Sequence, residues 1–145
     1  MEDEFIQNIL EKYKGKNWNI TSTLQEIDNN KLRAIKQYYE PFKSNMNYEI
    51  NLLNTIQDLK GFMFIPDDKP LKIGCYIRYL QRNLFDDVEL NFGGIVVGYN
   101  EDTGRTTLFF NDTHYILFRK MNDIKVFMKM NDDDKITALF NSVIY

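Results

Sequence analysis

The sequence has little of what usually marks a catalytic or metal site. Among its 145 residues there is one cysteine, Cys75, and one histidine, His114. A lone thiol cannot form an intramolecular disulfide and offers no zinc-ligand spacing, so we predict no metal and no cofactor. Gly-rich phosphate loops and the H-E-x-x-H and G-x-S-x-G motifs are also missing from the sequence. These absences favour a protein that is not an enzyme.

Long hydrophobic runs and an excess of positive charge are missing as well. No apolar stretch approaches the ~20 residues of a membrane-spanning helix, and the acidic start MEDEFIQNIL is unlike a secretory signal. The net charge is −3 and the pI is about 5.2. That balance argues against broad capture of nucleic acid, because a basic face normally dominates such binding. We therefore expect an intracellular protein that does not enter membranes.

The first part of the chain has the apolar spacing of helices. Hydrophobic residues make up 43% of the sequence, enough for a core shared by two small lobes. Up to residue 65 they recur every three or four positions, which predicts three or four short helices. Pro41 predicts that one of these helices ends at Tyr39 or Glu40. The segments concerned are DEFIQNILEKYKG (3–15), NNKLRAIKQYYEP (29–41) and NYEINLLNTIQDLKG (47–61).

The second part alternates with a period of two, which is typical of β-strands. FMFIPDDKP (62–70) is predicted to be the hinge between the two parts, with a brief strand-like run at 62–65 followed by a turn. RNLFDDVELN (82–91) is predicted to be a polar loop. Gly93 and Gly94 suit a bulge, and Gly104 suits a hairpin turn. The five predicted strands are LKIGCYIRYLQ (71–81), GGIVVGY (93–99), RTTLFFN (105–111), HYILFRK (114–120) and IKVFMK (124–129).

The predicted fold class is α+β. A helical lobe over residues 1–65 would pack on a five-stranded antiparallel barrel over residues 71–130. NDDDKITALFNSVIY (131–145) predicts an Asp-capped C-terminal helix. All three parts are expected to share one core, because each is small.

Residues 71–130 resemble small SH3-like barrels of the Tudor type. The residues that carry the resemblance are IGCYIRYL, GGIVVGY and YILFRKMNDIKVFMK. The resemblance implies a closed barrel, with an OB-like or plain meander barrel as the alternative. The sequence also has 16 Asn, 15 Ile and 13 Lys but 2 Ala. With that composition it resembles small proteins of large DNA viruses and other A/T-rich genomes.

Single candidate residues have plainer interpretations than catalysis. His114 could be a general base oriented by Asp112, but Asn-Asp-Thr before it is ordinary turn chemistry. Cys75 lies on an apolar strand face, where a buried small hydrophobe is expected. The acidic stretch NDDDK lacks the spacing of a calcium loop and suits a helix cap. We therefore predict no catalytic residue and no metal ligand.

Aromatic and arginine side chains supply the candidate ligand surface. Tudor-type barrels hold methylated Lys or Arg in an aromatic cage by cation–π attraction. Arginines beside aromatic rings can also line a nucleic-acid surface. The residues predicted to form such a surface are Tyr76, Arg78, Phe92, Tyr99, Arg105 and Arg119.

The sequence favours a non-enzymatic interaction or structural module, such as a viral structural or accessory protein. A protein partner or self-association is expected, because aromatics and Met121, Met128 and Met130 cluster late in the chain. One alternative is a small barrel that binds nucleic acid or chromatin, and a second is an enzyme with an unrecognised site. The expected location is the cytoplasm or nucleus of the source or host cell, or a virion.

Overall fold

The computed structural model describes residues 20–83, 87–119 and 123–131, with side chains described from residue 25 onward. Helix α1 is Ile20–Tyr39, a 3-10 turn is Glu40–Phe42, and helix α2 is Tyr48–Asp58. Six strands follow, so this part of the chain is α+β, as predicted. They are β1 (Phe62–Ile65), β2 (Tyr76–Arg82), β3 (Val88–Tyr99), β4 (Arg105–Phe110), β5 (Thr113–Phe118) and β6 (Lys125–Lys129).

The helices end where the sequence predicts. α1 stops at Tyr39 because Pro41 disfavours the helical conformation for the residue before it. After α2, Gly61 has a φ of +81°, which reverses the chain towards β1. The segment 29–41 is the second half of one 20-residue helix and not a separate short helix. The predicted helices at 3–15 and 131–145 lie outside the described residues, apart from Asn131.

The sheet contains one strand more than predicted. All pairings are antiparallel, and the strand order is β1-β6-β2-β3-β4-β5. The brief strand-like run predicted at Phe62–Ile65, the start of the hinge, is confirmed as β1. Its pairing with β6 was not predicted, because β6 lies about sixty residues later in the chain. The range predicted as the helical lobe therefore contributes a strand to the sheet.

Strand β3 is also longer than predicted. It begins at Val88, inside the segment interpreted as a polar loop, and pairs with the end of β2 from Gln81↔Glu89 to Arg82↔Val88. A predicted bulge is confirmed by a register shift opposite Arg78. There Gly94 has a φ of +122°, in a region that side chains other than glycine rarely adopt. The bulge turns the second half of β3 towards β4.

Two hydrophobic clusters lie on opposite faces of the sheet. One is covered by the helices, where Ile35 and Tyr38 of α1 pack with Leu80 of β2 and Phe127 of β6. The other lies on the concave face and takes at least one side chain from every strand. Six of its residues, one from each strand, are Ile65, Ile77, Val96, Leu108, Leu117 and Val126. Because both edge strands contribute to one cluster, the sheet must curl around it.

Arg119, directly after β5, joins the two edges of the curled sheet. Its Nη2 donates to the carbonyl oxygens of Ile65 (2.9 Å) and Pro66, at the end of β1, and its Nη1 to that of Lys69 (2.5 Å). In a flat sheet β1 and β5 would lie about 24 Å apart. Among the described residues β1 and β5 do not pair, so the sheet is open. Closure into an SH3-like barrel is not confirmed and stays a prediction.

A buried tyrosine links α1 to the segment before β6. The Tyr38 hydroxyl donates to the carbonyl oxygen of Asp123 at 2.6 Å. Burial raises the pKa of Tyr38 from its ordinary value of 10.0 to about 12, so the hydroxyl stays protonated and can donate throughout the neutral range.

Candidate interaction surface

The six residues predicted to form a ligand surface lie in three separate places. Tyr76, Arg78 and Phe92 come together on the helical side of the sheet. Tyr99 and Arg119 meet at the concave side, with Arg119 Nη1 3.4 Å from the Tyr99 hydroxyl. Arg105 is exposed at the start of β4. They were predicted to form one surface because all are aromatic or arginine residues, but the strand register places them apart.

The guanidinium of Arg78 lies among three aromatic rings. Its Cζ is 4.4 Å from the centroid of Phe92, 4.8 Å from that of Phe62 and 5.6 Å from that of Tyr76. Nη1 also donates to the carbonyl oxygen of Asp58 at the end of α2. These distances are those of cation–π contacts. The aromatic rings that could form a cage for methyl-lysine therefore already contact a cation of the chain itself, the guanidinium of Arg78.

Arg119 lies inside the fold and not on its surface. The residue is 1% exposed, and its Nη atoms donate to three main-chain carbonyls. Its Nε is buried with no hydrogen-bond partner among the described residues. This buried side chain holds the end of β1 against the end of β5, and it is not available to a nucleic acid. With Arg78 stacked on aromatic rings, Arg105 is the exposed guanidinium of the predicted set.

The histidine belongs to a β-hairpin, as predicted. Asn111 and Asp112 have φ values of +52° and +58°, the signs required by a two-residue type I′ turn. Strand β5 begins at Thr113, so His114 is a strand residue and not a turn residue. Its exposed ring packs beside Phe109, its register partner on β4, with the centroids 5.1 Å apart. This cross-strand pair stabilises the hairpin.

A cavity of about 290 Å³ adjoins Cys75. Lys72 and Lys129 line it together with Tyr76, although the sequence places neither lysine beside the thiol. Cys75 itself is half-buried and packs against the concave cluster. No group of three or more His, Cys, Asp or Glu in residues 20–83, 87–119 and 123–131 could hold a metal ion.

An exposed apolar surface surrounds the edge strand β5, and sequence reasoning missed it. In β5 Leu117 is buried, while the other five residues are exposed. Four large apolar side chains of β5 and of the end of β4 are between 38% and 46% exposed, and we call them the edge patch. They are Phe110, Tyr115, Ile116 and Phe118. Farther in on the same sheet, Ile95 and Val97 of β3 are 42% and 44% exposed.

The edge patch covers both faces of β5. Register pairs share a face, so Tyr115 lies with Leu108 on the concave side and Ile116 with Thr107 on the other side. The signal that could have located the edge patch is that β5 is apolar on both faces although it is the edge strand of the sheet. Charged residues are lacking along Thr113–Phe118.

Comparison with known proteins gives no family for this chain: no family model, curated protein or solved structure matches it. In the described ranges, neither α1 nor α2 has the length and apolar character needed to cross a membrane.

Proposed function

We propose that the chain is a non-enzymatic interaction module that binds a protein partner along β5. The observation that carries this proposal is a six-residue edge strand whose exposed side chains include Tyr115, Ile116 and Phe118. An edge strand offers unpaired N–H and C=O groups to another strand, and apolar side chains on both faces add buried area. The edge patch would thus contact the partner.

The lack of edge protection supports this use of β5. Folded proteins usually guard an exposed edge with lysine, proline or an inward-pointing charge. Thr113–Phe118 carries none of these. On the opposite edge β1 has four residues, and Arg33 of α1 and Lys69 lie in the groove beside it. The contrast between a guarded and an unguarded edge favours β5 as the binding strand.

The chemistry of the candidate residues supports a non-enzymatic role. A reactive cysteine needs a lowered thiol pKa, and a nucleophile needs a base to activate it. The described residues that line the cavity at Cys75 include no histidine or carboxylate to act as a base, although its two lysines are cations of the kind that lower a thiol pKa. His114 stacks on Phe109 at an exposed strand edge. The enzyme alternative keeps the Cys75 cavity as its candidate site.

We also propose that strands β2–β6 form an SH3-like barrel, as the resemblance of residues 71–130 implies. Strands β2 to β5 form a meander, and β6 returns to pair with β2 on the side away from β3. Arg119 would take the place of a hydrogen-bonded ladder between the edges, because it binds carbonyls at the end of β1. The shared concave cluster supports the same closure.

Changing Ile116 to lysine is expected to abolish partner binding without unfolding the protein. The side chain is 44% exposed, so the fold tolerates the charge, whereas a lysine in a strand–strand contact opposes pairing. The matched control is Ile50→Lys on α2, where the isoleucine is 62% exposed. Tagged wild-type protein and both variants are incubated with extract of the source cells, and the captured proteins are quantified by mass spectrometry.

The proposal predicts a set of proteins captured by wild type and Ile50→Lys and lost with Ile116→Lys. Circular dichroism confirms that all three chains are folded. An identical captured set for the three chains would contradict a binding role for β5.

A further inference from the structure

The backbone of β5 alternates between groups bonded to β4 and groups pointing outward. The two-residue turn makes Phe110–Thr113 a hydrogen-bonded pair, so Tyr115 and Leu117 also bond to β4. The same phase continues beyond the strand, where the Arg119 N–H donates to Gly104 O at 3.3 Å. The main-chain N–H and C=O groups of His114 and Ile116 therefore point away from the sheet.

We infer that the partner of β5 is a second copy of this chain, joined by antiparallel β5–β5 pairing about a twofold axis near Tyr115. This inference rests on the proposed function and names its partner. The axis places His114 opposite Ile116 of the second copy. Both residues have outward-pointing main-chain groups, so each can bond the other. On the concave face Tyr115 then meets Tyr115 of the second copy, and on the other face Ile116 meets the ring of His114.

The distribution of charge favours a second copy of this chain over an unrelated protein as the partner of β5. Like copies of a protein with a net charge of −3 repel unless their contact is neutral or complementary. Thr113–Phe118 has no charged residue. In this register Asp112 of one copy lies opposite Phe118 of the other, and Phe118 is the register partner of Arg105. The twofold axis thus brings two pairs of opposite charge towards each other, since Asp112 and Arg105 are both exposed.

The available area fits a weak dimer. The four side chains of the edge patch are 38–46% exposed, and at ~150–250 Å² for a large side chain they offer about 300 Å² per copy. His114 and the strand backbone raise this to about 500 Å² per copy, or ~1,000 Å² in total, the lower limit for a specific interface. Interfaces at this limit are those of weak, transient complexes, so a dimer that dissociates in the micromolar range is expected.

Sedimentation equilibrium of the purified full chain tests the inference. Wild type and Ile50→Lys are expected to pass from monomer to dimer across the micromolar range. Ile116→Lys should weaken the dimer at least tenfold. Arg105→Glu should weaken it about three- to tenfold, with a smaller effect at high salt, because it places an acid near Asp112 of the second copy. This second variant keeps the test decisive if Ile116→Lys does not fold.

A wild type that stays monomeric into the high micromolar range would overturn the inference, and so would a dimer that both variants leave unchanged. Results that contradict only the self-pairing can be distinguished from results that also contradict the proposed function. If wild type is monomeric but Ile116→Lys still loses captured proteins from the extract, the strand binds another protein and only the self-pairing is wrong. If neither measurement responds to Ile116→Lys, both proposals are wrong.

Discussion

Replacing Arg119 with alanine is expected to lower the free energy of unfolding by about 3 kcal/mol. The guanidinium donates to main-chain carbonyls of Ile65, Pro66 and Lys69, which hold the end of β1 against the end of β5. Without it these acceptors lose a charged donor, and a cavity remains where a residue 1% exposed had been. A loss of that size is a large part of the ~5–15 kcal/mol that stabilises a typical domain.

Urea denaturation of wild type and variants measures this effect. Arg105→Ala is the matched control: the arginine is exposed on β4, and its loss should change stability by less than about 0.5 kcal/mol. Arg119→Lys should fall between the two, because one ammonium cannot reproduce the fork of a guanidinium. If Arg119→Ala were as stable as Arg105→Ala, Arg119 would not join the edges of the sheet.

Replacing Gly94 with alanine is expected to destabilise the protein by about 2–4 kcal/mol. A Cβ at this position would lie 2.6 Å from the carbonyl oxygen of Phe109 and 3.0 Å from the Cβ of Phe110. The φ of +122° is also one that alanine rarely adopts. The first neighbour is backbone of the adjacent strand, so the clash is relieved only by moving β3 from β4.

Gly98→Ala is the matched control on the same strand. There an added Cβ would meet the Thr107 side chain at 3.5 Å, an ordinary contact, and it should leave stability within about 1 kcal/mol of wild type. Thermal and urea denaturation of the two variants compare the positions directly. Equal stabilities would mean that the bulge at Gly94 does not constrain the chain as described.

Local features of the fold could be predicted from the sequence. Pro41 ends α1, Gly104 has a φ of +72° in its turn, and Asn111–Asp112 forms the hairpin turn. Each of these depends on the conformational preferences of a few neighbouring residues. The turn signal also assigned His114 to a hairpin, and the structure confirms the hairpin.

Features that depend on distant partners could not be predicted. The pairing of β1 with β6 joins residues about sixty positions apart, and Val88 joins β3 because β2 extends to meet it. Arg119 is next to a lysine and looks like a surface residue, but its carbonyl partners lie about fifty residues earlier. The edge patch is exposed because β6 returns to β2 and leaves β5 at the end of the sheet.

Amide hydrogen exchange along β5, resolved by residue with NMR, tests most directly whether this edge is the binding strand. In the dilute protein we predict slow exchange for Tyr115 and Leu117, which bond to β4, and fast exchange for His114 and Ile116. Raising the concentration from well below to well above the dissociation constant should protect His114 and Ile116 and leave their neighbours unchanged. Protection of His114 and Ile116 that is already complete in the dilute protein, or that never changes with concentration or with captured partner, would contradict a free edge that pairs on binding.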